Sequence, residues 1–151
     1  MLREILHFPH KILTKTSTAV DNMDGDLAQL IEDMVETMYA APGVGLAAPQ
    51  VGTSQRIVVL DVNHAEPGKD LLKLINPTIT DREGSIIWEE GCLSVIDYTA
   101  EVKRSAKVEV KAWTIDQQEI IFQAEELLAA LEETIRARLR VYIGAAPGVG
   151  K

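Results

Sequence analysis

Residues 43 to 50 form a glycine- and alanine-rich stretch on which the interpretation of this sequence depends: Gly43-Val44-Gly45-Leu46-Ala47-Ala48-Pro49-Gln50. Its small side chains allow the backbone to approach a ligand closely, and glycine adopts positive φ without a steric penalty. The same composition is also typical of a tight connection between a helix and a strand, so the residues alone leave both interpretations open. Gln50 ends the stretch with an amide that both donates and accepts hydrogen bonds.

A helix is predicted just before this stretch. Apolar residues recur at helical spacing after Asp24 and Asp26, which suit a helix N-terminus, and the pattern continues to Tyr39. The apolar positions are Leu27, Leu30, Ile31, Met34 and Met38. The chain before the helix is predicted to be an extended arm over residues 5–13, interrupted by Pro9.

The segment after residue 52 has the pattern of short β-strands. Runs rich in valine and isoleucine alternate with polar turns, which are predicted at Asn76-Pro77, around Gly91 and at Asp116-Gln117. The predicted strands cover residues 57–62, 71–75, 79–87, 98–104, 107–113 and 119–122. One helix with several antiparallel-type strands indicates an α+β fold.

The composition is that of an ordinary soluble domain of 151 residues. Its 15 lysine and arginine residues against 23 aspartate and glutamate residues give a net charge of −8, which argues against nucleic-acid and anionic-membrane partners. The only cysteine, Cys92, excludes an internal disulfide. No apolar run approaches the roughly 20 residues that span a bilayer, so a cytoplasmic location is expected.

A second motif, Glu90-Gly91-Cys92-Leu93-Ser94, follows about forty residues after Gln50. The two motifs, in this order and at this separation, are similar to the first two signatures of the peptide deformylase family. Matching flanks extend the resemblance over residues 1 to about 116: Ile5-Leu6-His7-Phe8-Pro9, residues 36–42, Leu74-Ile75-Asn76-Pro77 and Val102-Lys103-Arg104. The resemblance implies a fold in which short antiparallel strands pack around a C-terminal helix, with another helix near the N-terminus.

The resemblance also implies a set of site residues. Gln50 and the backbone N–H of Leu93 would stabilise a developing oxyanion, and Cys92 would bind a metal as thiolate. The backbone of an N-formyl-methionyl peptide would be held by four further residues, Val44, Gly45, Gly91 and Arg104. The implied reaction is hydrolytic removal of the formyl group from nascent peptides. Without the resemblance, Cys92 is more typical of a small buried apolar residue, and Arg104 of an exposed strand end.

The family's third signature, His-Glu-x-x-His on a helix, is missing from this chain. A helix is predicted at residues 125–140, and an ungapped match through Leu127-Leu128-Ala129 places Thr134, Ile135 and Arg138 where His, Glu and His belong. The three histidines of the chain are His7, His10 and His64. The family uses Fe²⁺, or Zn²⁺ or Ni²⁺. One thiolate without two imidazoles does not retain such an ion, so we expect no stably bound metal and no catalysis.

The last residues resemble a different family. Leu139 to Lys151 is similar to the strand and P-loop of the osmosensitive potassium-channel sensor kinase family, with Ala145, Gly150 and Lys151 at the matching positions. The Ser or Thr and the helix that a P-loop requires do not follow, so ATP binding is not expected. Three regions are therefore predicted: a deformylase-like body over 1–116, a hairpin strand and divergent helix over 117–140, and a truncated P-loop-like tail over 141–151.

Three functions remain open at this point. The first is an inactive peptide deformylase body joined to a foreign C-terminal segment. The second is a catalytically dead module that binds N-terminal methionyl peptides, and the third is a fragment of a nucleotide-binding sensor kinase. The extent of each resemblance, about 115 residues against about 14, favours the first. The oligomeric state does not follow from the sequence.

Overall fold

The computed structural model describes residues 1–7, 10–63, 65–84, 86–92, 95–104 and 107–125. These ranges contain one α-helix, α1, at Gly25–Ala40, and short 3-10 helices at Lys11–Thr14 and Ala48–Val51. The strands are β1 Gly45–Ala47, β2 Ile57–Leu60, β3 Leu72–Glu83, β4 Ile86–Cys92, β5 Val95–Arg104, β6 Lys107–Trp113 and β7 Glu119–Glu125.

The predicted N-terminal helix is confirmed. The Asp24 carboxylate accepts a hydrogen bond from the Leu27 N–H (3.0 Å) and so satisfies one of the free donors of the first turn. All five predicted apolar positions of α1 are buried. This face of α1 packs against β1 and β2, so the helix lies directly behind the glycine- and alanine-rich stretch.

Five strands form one antiparallel sheet in the order β1-β2-β3-β6-β7, and β4 and β5 form a separate antiparallel pair. The β4–β5 pair is inserted in the chain between β3 and β6, which are neighbours in the sheet. All four residues of β2 are buried, as expected for a strand covered on both faces. One helix against an antiparallel sheet confirms the predicted α+β class.

The prediction of two strands separated at Asn76-Pro77 is wrong, because β3 runs through both residues. The pairing of β3 with β6 shifts register at this point, and Asn76 has a φ of 51°. Proline has no N–H for the ladder, so it is tolerated at such a bulge. The Asn76 side chain also binds the backbone of Val20, accepting from its N–H (2.7 Å) and donating to its carbonyl (3.0 Å).

The turn predicted around Gly91 is also misplaced. Gly91 lies inside β4, opposite Thr99, and the chain reverses between Cys92 and Val95, which are partners in the ladder. β5 therefore begins at Val95 rather than at residue 98. The second motif thus includes the end of β4 instead of lying in a turn after it.

The N-terminal arm is not extended over its whole length. Residues 11–14 form a 3-10 helix, which is capped by the Nδ1 of His10 accepting a hydrogen bond from the Ile12 N–H (3.2 Å). The hairpin turn at Asp116-Gln117 is confirmed, with Gln117 at a φ of 63° and a hydrogen bond from the Thr114 N–H to the Gln118 carbonyl (2.9 Å).

The boundary predicted at residue 116 falls in the turn between β6 and β7, two strands that pair at seven positions. The predicted C-terminal helix beyond Glu125, the P-loop-like tail, His64 and Leu93 lie outside the described residues. Within the described ranges, no helix is long and apolar enough to cross a bilayer.

Candidate functional site

The glycine- and alanine-rich stretch forms the edge strand β1 and the 3-10 helix that follows it. β1 pairs with β2 and has no second neighbour among the described strands. Val44 and Gly45 are both buried, and the Val44 carbonyl accepts a hydrogen bond from the Asp61 N–H (2.9 Å). Three of the predicted site residues, Val44, Gly45 and Gln50, are therefore held together on one short segment.

Gln50 is almost completely buried, with 1% of its surface exposed. Its Oε1 accepts a hydrogen bond from the Ala47 N–H (3.2 Å). Because an N–H can only donate, this contact fixes the orientation of the amide: the oxygen faces Ala47, and the NH₂ group lies on the other branch. The main-chain carbonyl of Gln50 is fixed as well, since it accepts from the Leu6 N–H (2.8 Å).

The turn that presents Gln50 requires a glycine at its end. Gly52 has a φ of 91° and its N–H donates to the Pro49 carbonyl (3.1 Å). An L side chain rarely adopts this φ, whereas glycine does so without strain. The Thr53 N–H donates to the Ala48 carbonyl (3.0 Å) and closes the 3-10 helix. The small-residue composition thus serves a tight turn and also presents a fixed amide.

A buried carboxylate that the sequence analysis missed supports this segment from behind. Asp61 is 4% exposed, and its Oδ2 accepts from the Tyr39 hydroxyl (2.5 Å) and from the Gly68 N–H (2.8 Å). Its Oδ1 accepts from the Asn63 N–H (2.9 Å). Burial, together with the hydrogen bond to Asp61, raises the pKa of Tyr39 to about 12. An aspartate at the end of an apolar strand was the available sequence signal.

The second motif lies on the other sheet. Gly91 and Cys92 are the last two residues of β4, and Arg104 is the last residue of β5, opposite Ile86. Cys92 and Arg104 therefore lie toward opposite ends of the same hairpin. Leu93 is outside the described residues, so its role as a backbone donor stays a prediction. The predicted residues thus fall into two groups, one on the β1 segment and one on the β4–β5 hairpin.

Among the described residues, the histidines do not form with Cys92 the Cys-His-His set that the resemblance implies. His7 is exposed on the N-terminal arm, and the Nδ1 of His10 is engaged with the Ile12 N–H. Residues 133 to 151 carry no histidine. In the part of the chain that the structure describes, no three His, Cys, Asp or Glu side chains are grouped so as to hold a metal ion. No chemical step is therefore assigned to a metal here.

The comparisons with known proteins agree on one family. The family model for polypeptide deformylase matches residues 2–132, which extends beyond residue 116. The chain is 46% identical over 133 residues to the peptide deformylase of Thermodesulfovibrio yellowstonii, a match that covers 87% of this chain and 81% of that protein. It is 47% identical over 133 residues to that of Syntrophobacter fumaroxidans, covering 87% and 78%.

Solved structures give the same answer. The peptide deformylase of Thermus thermophilus superposes with a TM-score of 0.86 at 32% identity, covering 94% of this chain and 84% of that one. The enzyme of Legionella pneumophila superposes with a TM-score of 0.85 at 37% identity, covering 91% and 83%. The sequence and the fold therefore point to the same relatives.

Proposed function

The chain belongs to the peptide deformylase family, and from that premise we propose that its site binds the N-formyl-methionyl end of a peptide through Gln50. The observation that carries the proposal is the fixed orientation of the Gln50 amide. Its oxygen accepts from the Ala47 N–H (3.2 Å), so a ligand oxygen would be met by the NH₂ group of the amide. A donor of this kind matches the carbonyl oxygen of a formyl group.

The remaining contacts are assigned by family membership. Gly45 begins the edge strand β1 and Val44 directly precedes it, and a peptide backbone adds to such an edge through main-chain hydrogen bonds. Gly91 and Arg104, on the β4–β5 hairpin, would bind the same peptide from the other side. The Leu93 N–H would be the second donor to the formyl oxygen, beside Gln50.

We further propose that this chain binds the peptide without hydrolysing it. The family reaction depends on a metal, and Cys92 is the one ligand of its set that the matching positions retain. Two imidazoles are required in addition, and the aligned positions carry Thr134 and Arg138. A cationic side chain at such a position opposes the binding of a cation.

The test measures binding and turnover on the same samples. We expect saturable binding of N-formyl-methionyl-alanine, weaker binding of methionyl-alanine, and no release of formate. Gln50→Glu keeps the acceptor that faces Ala47 and removes the NH₂ donor, so we expect it to weaken binding of the formylated peptide about tenfold, the equivalent of one hydrogen bond.

Gln118→Glu is the matched control, because it makes the same chemical change at an exposed position in the β6–β7 turn. It should leave both affinities unchanged. Absence of saturable binding at millimolar peptide would refute the binding proposal. Formate release that tracks this protein through purification and is lost on Cys92→Ser would refute the claim of inactivity.

A further inference from the structure

The first residues of the chain connect α1 to Gln50. We call residues 3 to 6 the N-terminal strap. At one end, the guanidinium of Arg3 contacts the Asp33 carboxylate through Nε and a terminal nitrogen (both 3.0 Å). The Arg3 N–H donates to the Thr37 hydroxyl (2.9 Å), which in turn donates to the Asp33 carbonyl (2.7 Å). The strap is thus attached to α1 by both side chain and main chain.

At its other end, the strap holds the segment that carries the site. The Leu6 N–H donates to the main-chain carbonyl of Gln50 (2.8 Å). The Leu6 side chain lies against Gly52, with its Cδ1 at 3.9 Å from the point where a Cβ of residue 52 would stand. Only two residues, Glu4 and Ile5, lie between Arg3 and Leu6, so the two Cα atoms are at most about 11 Å apart. A segment this short passes a displacement at α1 on to Leu6.

Asp33 is the anchor of this arrangement. It is 3% exposed, and besides Arg3 it accepts from the Gln29 amide (2.8 Å) and the Met1 amino group (3.0 Å). The hydrogen bond from Gln29, followed by those from the Met1 amino group and Arg3, lowers the pKa of Asp33 to about 2. These donors favour the charged form of the Asp33 carboxylate. Replacing Asp33 would leave the donors around it without their acceptor.

We propose that Asp33 is a positioning residue for Gln50, acting through Arg3 and the N-terminal strap. The expected effect on ligand binding rests on the proposed function of Gln50, whereas the hydrogen-bonded connection from Asp33 to Gln50 does not. Within the described part of the chain, the hydrogen-bond partners of Asp33 are Met1, Arg3, Gln29 and Thr37, none of which is a predicted ligand-binding residue. Asp33 fixes the position of Arg3, and the short strap fixes the position of Leu6 relative to Arg3. The Leu6 N–H in turn holds the main-chain carbonyl of Gln50.

A ligand-free measurement tests the geometry. Hydrogen exchange at the Leu6 N–H reports the contact with Gln50 directly, because an amide exchanges only when its hydrogen bond opens. In Asp33→Asn we expect this exchange to accelerate by about tenfold or more, and the side-chain amide resonances of Gln50 to shift. Asp26→Asn makes the same change at an exposed position in the first turn of α1, and it should alter neither.

A binding measurement tests the consequence. Asp33→Asn should reduce the preference for N-formyl-methionyl-alanine over methionyl-alanine about as much as Gln50→Glu does, and the double variant should be no worse than Gln50→Glu alone. Such non-additivity is the mark of two residues acting on one interaction. A merely stabilising role for Asp33 would lower the melting temperature and leave the preference intact. Arg3→Met, at a half-exposed residue, repeats the test if Asp33→Asn does not fold.

The outcomes separate the two proposals. Leu6 exchange and Gln50 resonances that match the wild type in a folded Asp33→Asn or Arg3→Met variant overturn the positioning role, as does an additive double variant. If the wild type binds no formylated peptide, the proposed function fails, and the exchange measurement still decides whether Asp33 positions Gln50.

Discussion

Asp61 shows how a single side chain organises the region behind the site. Its carboxylate joins the end of α1, through Tyr39, to the loop after β2, through Gly68 and Asn63. Its own N–H holds the Val44 carbonyl. Asn63 and Gly68 follow Asp61 within seven residues, but Tyr39 lies 22 residues before it, so the position of Asp61 after an apolar strand was a sequence signal for a polar site but not for its link to α1.

The pair Tyr39–Asp61 predicts a sensitivity to alkali. The pKa of Tyr39 is raised to about 12 in the folded protein, against about 10 in an unfolded chain. A group with a raised folded-state pKa contributes stability that is complete below the unfolded value and is lost as the pH rises through the folded one. We therefore expect the free energy of unfolding to fall between about pH 10 and about pH 12.

Lysines and the other tyrosines titrate in the same pH range. The contribution of Tyr39 is therefore isolated by comparing the wild type with Tyr39→Phe. Urea unfolding at a series of pH values should show a shallower decline for the variant than for the wild type. Identical slopes for the two proteins would contradict the assignment.

The sequence predicted a role for Gln50, but it did not predict the fixed orientation of its amide. The motif predicted an amide at this position, but the orientation depends on the Ala47 N–H, and the main-chain anchor is Leu6, more than forty residues earlier in the sequence. Contacts between distant parts of the chain leave no periodicity from which they could be predicted.

The helix and the strands also differ in whether local sequence signals predict them. α1 followed from an N-cap and a 3.6-residue period, both of which are local. β3 did not, since Asn76-Pro77 is a strong turn signal by itself. In the fold, β3 is held on both sides by β2 and β6, and the Asn76 side chain binds both backbone groups of Val20, 56 residues away.

Asn76 is accordingly expected to contribute more to stability than its half-buried position suggests. Asn76→Ala removes two hydrogen bonds and leaves the Val20 N–H and carbonyl without these partners, which should cost about 1–3 kcal/mol. It also replaces asparagine at a positive φ, where asparagine is tolerated better than alanine. Equilibrium urea unfolding measures the loss.

Asn22→Ala is the control for this substitution. Asn22 is exposed, and its side-chain amide donates to the carboxylate of nearby Asp24 (3.0 Å). A single bond at an exposed position contributes little, so the change should cost less than about 0.5 kcal/mol. If the two substitutions lowered the free energy of unfolding equally, the bonds from Asn76 to Val20 would contribute no more to stability than an exposed hydrogen bond.

For the molecule as a whole, the family and the α+β class could be predicted from two motifs and their flanks. The extent of the resemblance was underestimated: the family match continues to residue 132. The catalytic state depends on positions 134, 135 and 138, beyond that match, and it stays a proposal.

Introducing the His-Glu-x-x-His signature at the positions predicted for it tests that proposal at the level of the whole chain. The triple variant Thr134→His, Ile135→Glu, Arg138→His supplies the i, i+4 imidazole pair and the glutamate. We expect it to bind close to one equivalent of Fe²⁺, Ni²⁺ or Zn²⁺ and to release formate from N-formyl-methionyl-alanine, and we expect the starting chain to do neither. Elemental analysis and a coupled formate assay measure the two gains.

The same triple variant with Cys92→Ser is the control, and it should lose both properties. If the triple variant stays folded yet binds no metal, the ungapped placement of the three residues is wrong. If the starting chain already contains a stoichiometric metal, the proposed inactivity is wrong.

The pairing of β6 with β7 limits where this polypeptide can be cut. A version ending at residue 116 would keep the pairing of β6 with β3 but lose the seven pairs of β6 with β7. The edge of β6 beside its buried residues Val108, Val110 and Ala112 would then be an open row of amide and carbonyl groups. Such a bare edge recruits strands from other molecules. An expression product intended to represent the body alone would therefore be prone to precipitation unless it continued at least through Glu125.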